Sequence, residues 1–274
     1  MLGRIPTLLL STTALLLGWP GASPAQLRPI DPIDWRDLDV PSVHVSLGTD
    51  LLAGQRASLA GTSGQLLELG VFRAVWHLDR VALEISGTSV RVFSDDAVFA
   101  EPAQGALPPD GTRRVDAGDV RLATLVRLTP AAVPVQAALR FGVRLPTTNE
   151  TVGLDRDQTD FFSFLGARFL RGRWDVSGEL GLGIFGSRER VDQTDPVLFG
   201  VRAALELGPV DPVLEATGQY DTRGTAPRRG TEDLGEVRLG LRAGTDRWIK
   251  VTAVRGWTPF SPDFGLSLRV GSRF

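Results

Sequence analysis

Among its 274 residues the chain has no cysteine, one lysine (Lys250), one methionine, one tyrosine and two histidines. Without cysteine there is no disulfide framework, no thiolate metal site and no lipidated N-terminal cysteine, and either redox compartment is tolerated. Imidazole chemistry is confined to His44 and His77. Charge of one sign is lacking too, since 30 basic residues face 32 acidic ones for a formal net charge of −2. That balance gives no electrostatic reason to expect nucleic acid as a partner. Long apolar runs are also missing, because no segment after the N-terminus holds 18 consecutive apolar residues. A spanning helix is thereby excluded from that region. The remaining classes are an exported soluble protein and a closed β-barrel, the other fold that satisfies its backbone inside lipid.

What is present begins with "MLGRIPTLLLSTTALLLGWPGASPA". Arg4, the apolar stretch from Leu8 to Trp19, and the small residues Ser23 and Ala25 predict a secretory signal peptide over 1–25, cleaved after Ala25. A membrane anchor is the alternative, but the stretch falls short of the roughly 20 residues a spanning helix needs. Residues 26–42, "QLRPIDPIDWRDLDVPS", read as a periplasmic N-terminal segment. Their proline and aspartate content suggests a flexible leader. The sharper alternative is a small plug with Trp35 in the periplasmic mouth.

From Val43 onward apolar and polar residues alternate at period two, as strands with two differently solvated faces do. Twelve strands are predicted, at 43–53, 65–77, 81–94, 116–129, 133–145, 160–170, 174–186, 196–207, 213–222, 234–244, 248–257 and 264–274. In "VPVQAALRFGVRL", Val135, Ala137, Leu139, Phe141 and Val143 share one face, while Gln136, Arg140 and Arg144 share the other. Alternation is less regular in the first three strands, which suggests a bulge there. Connections alternate between short ("LDR", "RGR", "TDR") and long (54–64, 95–115, 146–159, 187–195, 223–233). Such alternation is expected of a closed antiparallel transmembrane barrel with tight periplasmic turns and longer extracellular loops. The predicted fold is therefore all-β, with residues 43–274 forming an outer-membrane barrel of about twelve strands.

Aromatics follow the same topology. Trp76, Phe169, Trp174, Trp248 and Phe274 fall near the periplasmic interface, and Phe93, Phe161, Phe185, Phe199, Tyr220 and Trp257 near the other, as two girdles. The inward parity collects Arg121, Arg140, Arg144, Arg168, Arg202, Arg238, Arg242 and Arg269 with Glu179 and Glu206 as a lumen lining. These charges either pair across the lumen and stiffen it or orient a passing polar or anionic group.

Catalytic motifs are thin. His44 and Ser46 lie on one strand face with no orienting group evident. The glycines of "GELGLGIFG" alternate along a strand, so they read as small lumen-facing residues and not as a phosphate loop. "GLDRDQTD" lacks the later Gly and Glu of a calcium loop and reads as solvated. No enzyme activity, cofactor or metal is expected.

The second half resembles a known family. "FGVRLPTTNETVGLDRDQTDFFSFLGARFLRGRWDVSGELGLGIFG" and "TPFSPDFGLSLRVGSRF" are similar to the outer-membrane family named for the MetA pathway of phenol degradation. Leu145, Pro146 and Thr147 match its Leu-Pro-Thr element, and Ser261, Pro262 and Asp263 match the Ser-Pro-Asp that opens its final strand. Glu179 and Leu180 depart from its usual Asn-Leu. The resemblance covers residues 138–274 and implies passage of aromatic or other hydrophobic small molecules. The expected function is a channel or transporter for small molecules. The alternatives are a structural or adhesive barrel closed by Arg–Glu pairs, and an outer-membrane hydrolase. Expected partners are outer-membrane lipid, lipopolysaccharide, and the assembly machinery that reads a last strand ending in Phe274.

Overall fold

The computed structural model describes residues 27–35, 41–108, 113–130, 132–186, 194–222 and 229–274. The signal-peptide reading over 1–25 lies outside the described residues. Thirteen strands form: β1 (Val43–Ala57), β2 (Thr62–Leu78), β3 (Val81–Val98), β4 (Arg113–Asp116), β5 (Val120–Arg127), β6 (Val135–Leu145), β7 (Asp160–Arg171), β8 (Trp174–Ile184), β9 (Pro196–Leu205), β10 (Val210–Asp221), β11 (Leu234–Ala243), β12 (Arg247–Gly256) and β13 (Phe264–Arg273). Every pairing is antiparallel, and β1 pairs with both β2 and β13, His44 lying opposite Arg273 and Ala53 opposite Phe264. The sheet thereby closes into a twelve-stranded barrel, and β4 is the extra strand, paired with β3 alone.

The closed ring has two chemically opposite faces. Leu165, Leu180, Leu182 and Leu239 are each at least 60% exposed on the outside, in a belt continued by Leu241, Val251 and Leu266. A continuous apolar exterior is costly in water and is the lipid face of an outer-membrane barrel. The inward residues of the barrel strands include Arg140 and Arg144 on β6, Arg168 on β7, Asp175 on β8 and Arg202 on β9, all buried. Among the described residues no helix is long and apolar enough to cross a membrane.

The irregular alternation near the start has a specific cause. Gly48 pairs with Val71 and Thr49 with Leu69, which leaves Gly70 as an extra residue on β2. Its φ of 63° is one that glycine adopts without strain. The bulge exchanges the faces, so Leu66 and Glu68 are buried before it and Val75 and His77 after it.

Strands β1, β2 and β3 run to 15, 17 and 18 residues and rise beyond the long-loop end of the barrel. Loops fold over them. Leu59 carbonyl accepts from Ala103 N–H at 2.7 Å, Thr151 carbonyl from Leu107 N–H at 2.8 Å, and Glu101 carbonyl from Arg229 at 2.7 Å. Beneath them Leu154 packs with Leu52, Ala57, Ala60, Leu66 and Phe93. This apolar cap covers the end that the long loops mark as extracellular.

Candidate functional site

The barrel encloses part of its own chain. Residues 27–35 read Leu-Arg-Pro, Ile-Asp-Pro, Ile-Asp-Trp, three triplets in which the first residue is apolar and the second charged. From Leu27 to Asp34 the segment is neither helix nor strand, and Trp35 is in a 3-10 conformation. Its repeat suits a polyproline II turn of three residues, which rises about 3.1 Å per residue, so nine residues reach roughly 28 Å. That is close to the ~25 Å apolar band of such a barrel. The contacts agree with a segment threaded end to end. Leu27 packs into the cap beside Leu52 and Leu154, Ile30 against Ala123, Phe162, Phe164 and Leu198, and Ile33 and Trp35 against Val75, Ala82, Leu125 and Ala138 near the short turns. Residues 27–35 are therefore inside the barrel, in agreement with the plug alternative that put Trp35 in the periplasmic mouth and not with a flexible leader for this stretch; residues 36–40 lie outside the described residues.

The wall is shaped for the occupant. A Cβ on Gly200 would stand 2.9 Å from Pro32 Cβ, and one on Gly166 would stand 3.4 Å from Trp35 Cζ2. A segment of this kind has no internal backbone hydrogen bonds, so the wall supplies them. Thr217 Oγ1 donates to Ile30 carbonyl at 2.7 Å and Arg140 to Asp31 carbonyl at 2.8 Å.

Charge does the rest. Arg28 donates to both Glu236 oxygens at 3.0 and 2.7 Å, pairs with Glu68 at 3.3 Å, and also pairs with Asp50. Asp31 pairs with Arg238, which itself holds Glu236 at 2.8 Å. Asp34 meets Arg242 at 3.4 Å and Arg202 at 3.6 Å. From Glu68 the alternation climbs toward the loops through Arg91 at 2.9 Å, Asp155 at 2.7 Å, Arg144 at 2.8 Å and Asp160 at 2.7 Å. Asp155 comes from the loop between β6 and β7, so that loop is tied into the lumen instead of standing in solvent. The glycines of β8 seat aromatic rings: a Cβ on Gly181 would meet Phe164 at 2.7 Å, and one on Gly183 would meet Phe185 at 2.6 Å.

The structure places the remaining sequence-predicted residues as follows. Arg168 holds Asp175 at 2.8 Å, and Arg202 holds the same carboxylate at 3.3 Å. Glu179 lies 3.5 Å from Arg140, which also holds Glu84 at 3.2 Å. Arg269 binds Asp50 through two nitrogens at 2.5 and 2.7 Å. Arg121 is 3.7 Å from Asp119. Glu206 is a correction: it is exposed just past the end of β9, beyond the rim, because the strand stops one residue earlier. Trp248 is another. It shares the inward parity of Lys250 and Thr252, lies over Gly271, and stacks beneath Arg242 at 4.6 Å, so it lines the mouth and is not part of an outer girdle. Trp76, Phe169, Trp174 and Phe274 are exposed at the short-turn end. At the other end Phe199, Tyr220 and Trp257 stack outside, while Phe93 and Phe185 are buried inside.

A cavity of about 160 Å³ runs beside the threaded segment. Nine cationic and seven anionic side chains line it, with Ser46, Ser86, Thr88 and Ser267 between them. His44 Nε2 is 2.7 Å from Ser42 Oγ at the periplasmic rim, so its hydroxyl neighbour is Ser42 and not Ser46. Outside the spanning strands, burial lifts the Asp116 carboxyl to about 6, against the pull of the Asn149 and Ala117 amides that it accepts at 2.9 and 2.8 Å.

With this geometry in hand the chain can be set beside known proteins. No family model matches it, and no curated protein does. Solved structures with a similar fold include the outer membrane phospholipase A from Escherichia coli, at 11% identity over 90% of this chain and 97% of that one, with a TM-score of 0.43. The outer membrane channel DcaP of Acinetobacter baumannii is 11% identical over 85% and 96%, also with a TM-score of 0.43. A porin gives 11% identity over 85% and 99%, with a TM-score of 0.38. These are likenesses of fold, shared by an enzyme and by channels alike.

Proposed function

We propose that the chain is a gated conduit of the bacterial outer membrane, held shut by residues 27–35 and opened when they withdraw. The observation that carries this reading is the way the lumen is filled. Its occupant is a separate segment held noncovalently, by ion pairs, a few hydrogen bonds and the apolar contacts of Leu27, Ile30, Ile33 and Trp35, with a charged cavity beside it. A barrel selected only for rigidity gains nothing from burying so many charges, because an apolar interior of equal volume is as stable or more so. The resemblance over residues 138–274 supports a small organic cargo, and the arginine-rich lining supports cargo with a polar or anionic group. The exposed aromatic edge near Phe274 suits the phospholipid of the periplasmic leaflet, the outward stack of Phe199, Tyr220 and Trp257 suits lipopolysaccharide at the other end, and the last strand suits recognition by the assembly machinery.

The test is a planar-bilayer recording of refolded protein beside a variant lacking residues 26–35. The full chain is expected to be silent or to open rarely, and the shortened chain to give sustained unitary steps. Silence of both would favour the second reading, a structural barrel, for which the apolar cap over Leu27 and Leu154 is the supporting observation.

A further inference from the structure

Arg121 is the odd member of the interior. Its neighbours are held by carboxylates at hydrogen-bond distance: Arg91 by Glu68 at 2.9 Å, Arg144 by Asp155 at 2.8 Å, Arg140 by Glu84 at 3.2 Å. For Arg121 the nearest carboxylate is Asp119 at 3.7 Å, and that carboxylate is shared with Arg91 and Arg144 at 3.4 and 3.3 Å. The Nε of Arg121 has no acceptor, as is true of Arg140 and Arg144 too, so what sets Arg121 apart is that no carboxylate compensates at hydrogen-bond distance. The side chain keeps 15% of its surface open, and it lines the cavity. A guanidinium in a confined space without a full complement of acceptors is costly, and its planar fork matches a carboxylate or phosphate.

The register supplies the rest of a cradle. Ser46 stands opposite Arg73, Arg73 opposite Ser86, and Ser86 opposite Arg121, in one row across four inward-facing strands. Directly opposed residues sit about 5 Å apart, so the two arginines flank Ser86 across the cavity wall. Arg73 is held by Glu84 at 3.0 Å and keeps 23% of its side chain open. Ser86 Oγ donates to Glu84 at 3.3 Å and spaces the two arginines. We infer that Arg121, with Arg73 and the Ser46 hydroxyl, forms a binding site for a small oxyanion in the lumen. The excess of cationic over anionic lining, nine to seven, has the same sign. Asp119 beside Arg121 and Glu84 beside Arg73 oppose the ligand. They limit the site to one modest anion, not a polyanion. The inference deepens the conduit reading by naming the class of group the lumen takes, and it rests on that reading for its purpose, though the binding does not need transport.

The experiment is isothermal titration of the full refolded chain in detergent with sodium benzoate and, separately, with inorganic phosphate. One of the two is expected to saturate. Affinity should fall at least tenfold in Arg121→Gln and remain within twofold in Arg247→Gln, which alters an exposed residue at the start of β12. Saturation by benzoate alone marks the ligand as a carboxylate, and saturation by phosphate alone marks it as phosphate. Thermal unfolding gives a second readout for every variant. Added anion should raise the midpoint of the parent, and Arg121→Gln should fold with a midpoint no lower than the parent and insensitive to anion. No saturable binding by the full chain, or undiminished binding by Arg121→Gln, overturns the site. Binding without any conductance in the shortened chain overturns the conduit and leaves the site standing.

Discussion

At the scale of single residues, losing an arginine whose carboxylates each keep a second partner differs from losing a carboxylate on which two arginines converge. Arg28 touches three carboxylates, yet each keeps another arginine: Asp50 has Arg269, Glu68 has Arg91 and Glu236 has Arg238. Asp175 is the converse, a fully buried carboxylate on which Arg168 and Arg202 converge. Asp175→Asn should therefore cost about 3–5 kcal/mol in urea unfolding from lipid vesicles, the range for removing one partner of a buried ion pair. Arg28→Gln should cost clearly less, and the reverse order would show that the network is not partitioned as the contacts suggest. Asp116 adds a pH test. Its folded value near 6 lies above that of an exposed aspartate, so the protonated form is favoured in the folded state. The stability it lends is present below about pH 4 and is lost as pH rises through 6. Hydrogen exchange at β4 and the adjoining loop should quicken over that window in the parent, and Asp116→Asn should remove that dependence.

At the scale of elements, the lipid face makes a depth-dependent prediction. Leu165, near the middle of β7, and Val135, at the periplasmic start of β6, are both more than half exposed. Arginine at Leu165 should cost ~2–4 kcal/mol of folding into lipid, and arginine at Val135 ~0–1 kcal/mol. Equal costs would place the membrane elsewhere along the barrel. The same alternation that drives this prediction is why the strands were legible in the sequence. A residue on a barrel strand meets lipid or lumen, and Arg140, Arg144 and Leu139 report their faces without help from distant contacts. Gly70 interrupts that logic, since one extra residue exchanges the faces, and only the pairing locates it. Trp248 misled for a related reason: aromatic residues at a rim suggest a girdle, but parity, not type, decides the face, and Gly271 leaves room for the ring inside. Glu206 had the right parity and the wrong height. The threaded segment was the least legible element. Its signal is a period of three, which neither a helix nor a strand template detects, and its burial depends on a wall assembled from residues 43–274. The triplets of Leu27, Ile30 and Ile33 beside Arg28, Asp31 and Asp34 were the available clue.

At the scale of the whole molecule, closure is a property of two parts that meet noncovalently: a barrel sealed by the pairing of β1 with β13, and a segment that leaves the start of β1 and returns through the ring. The missing cysteines make this arrangement testable with no background thiols. Pro32 faces Gly200, whose Cβ would lie 2.9 Å from that of Pro32, about 0.9 Å inside the ~3.8 Å that a disulfide prefers, so the two positions must move apart for the bond to form. The adjustment falls on the segment, which is held noncovalently, and on the flexible end of Glu179, whose Oε1 would lie 3.0 Å from the new Cβ. A Pro32→Cys, Gly200→Cys double variant should therefore form an intramolecular disulfide on mild oxidation. If withdrawal of the segment opens the lumen, the oxidised variant should lose the rare openings of the parent, and a reductant should restore them in the same membrane. The shortened chain lacking residues 26–35 should conduct regardless of redox state. Openings that persist in the oxidised double variant, with the bond verified by mass spectrometry, would mean that ions bypass the segment and that the loops over Leu154 are the gate instead.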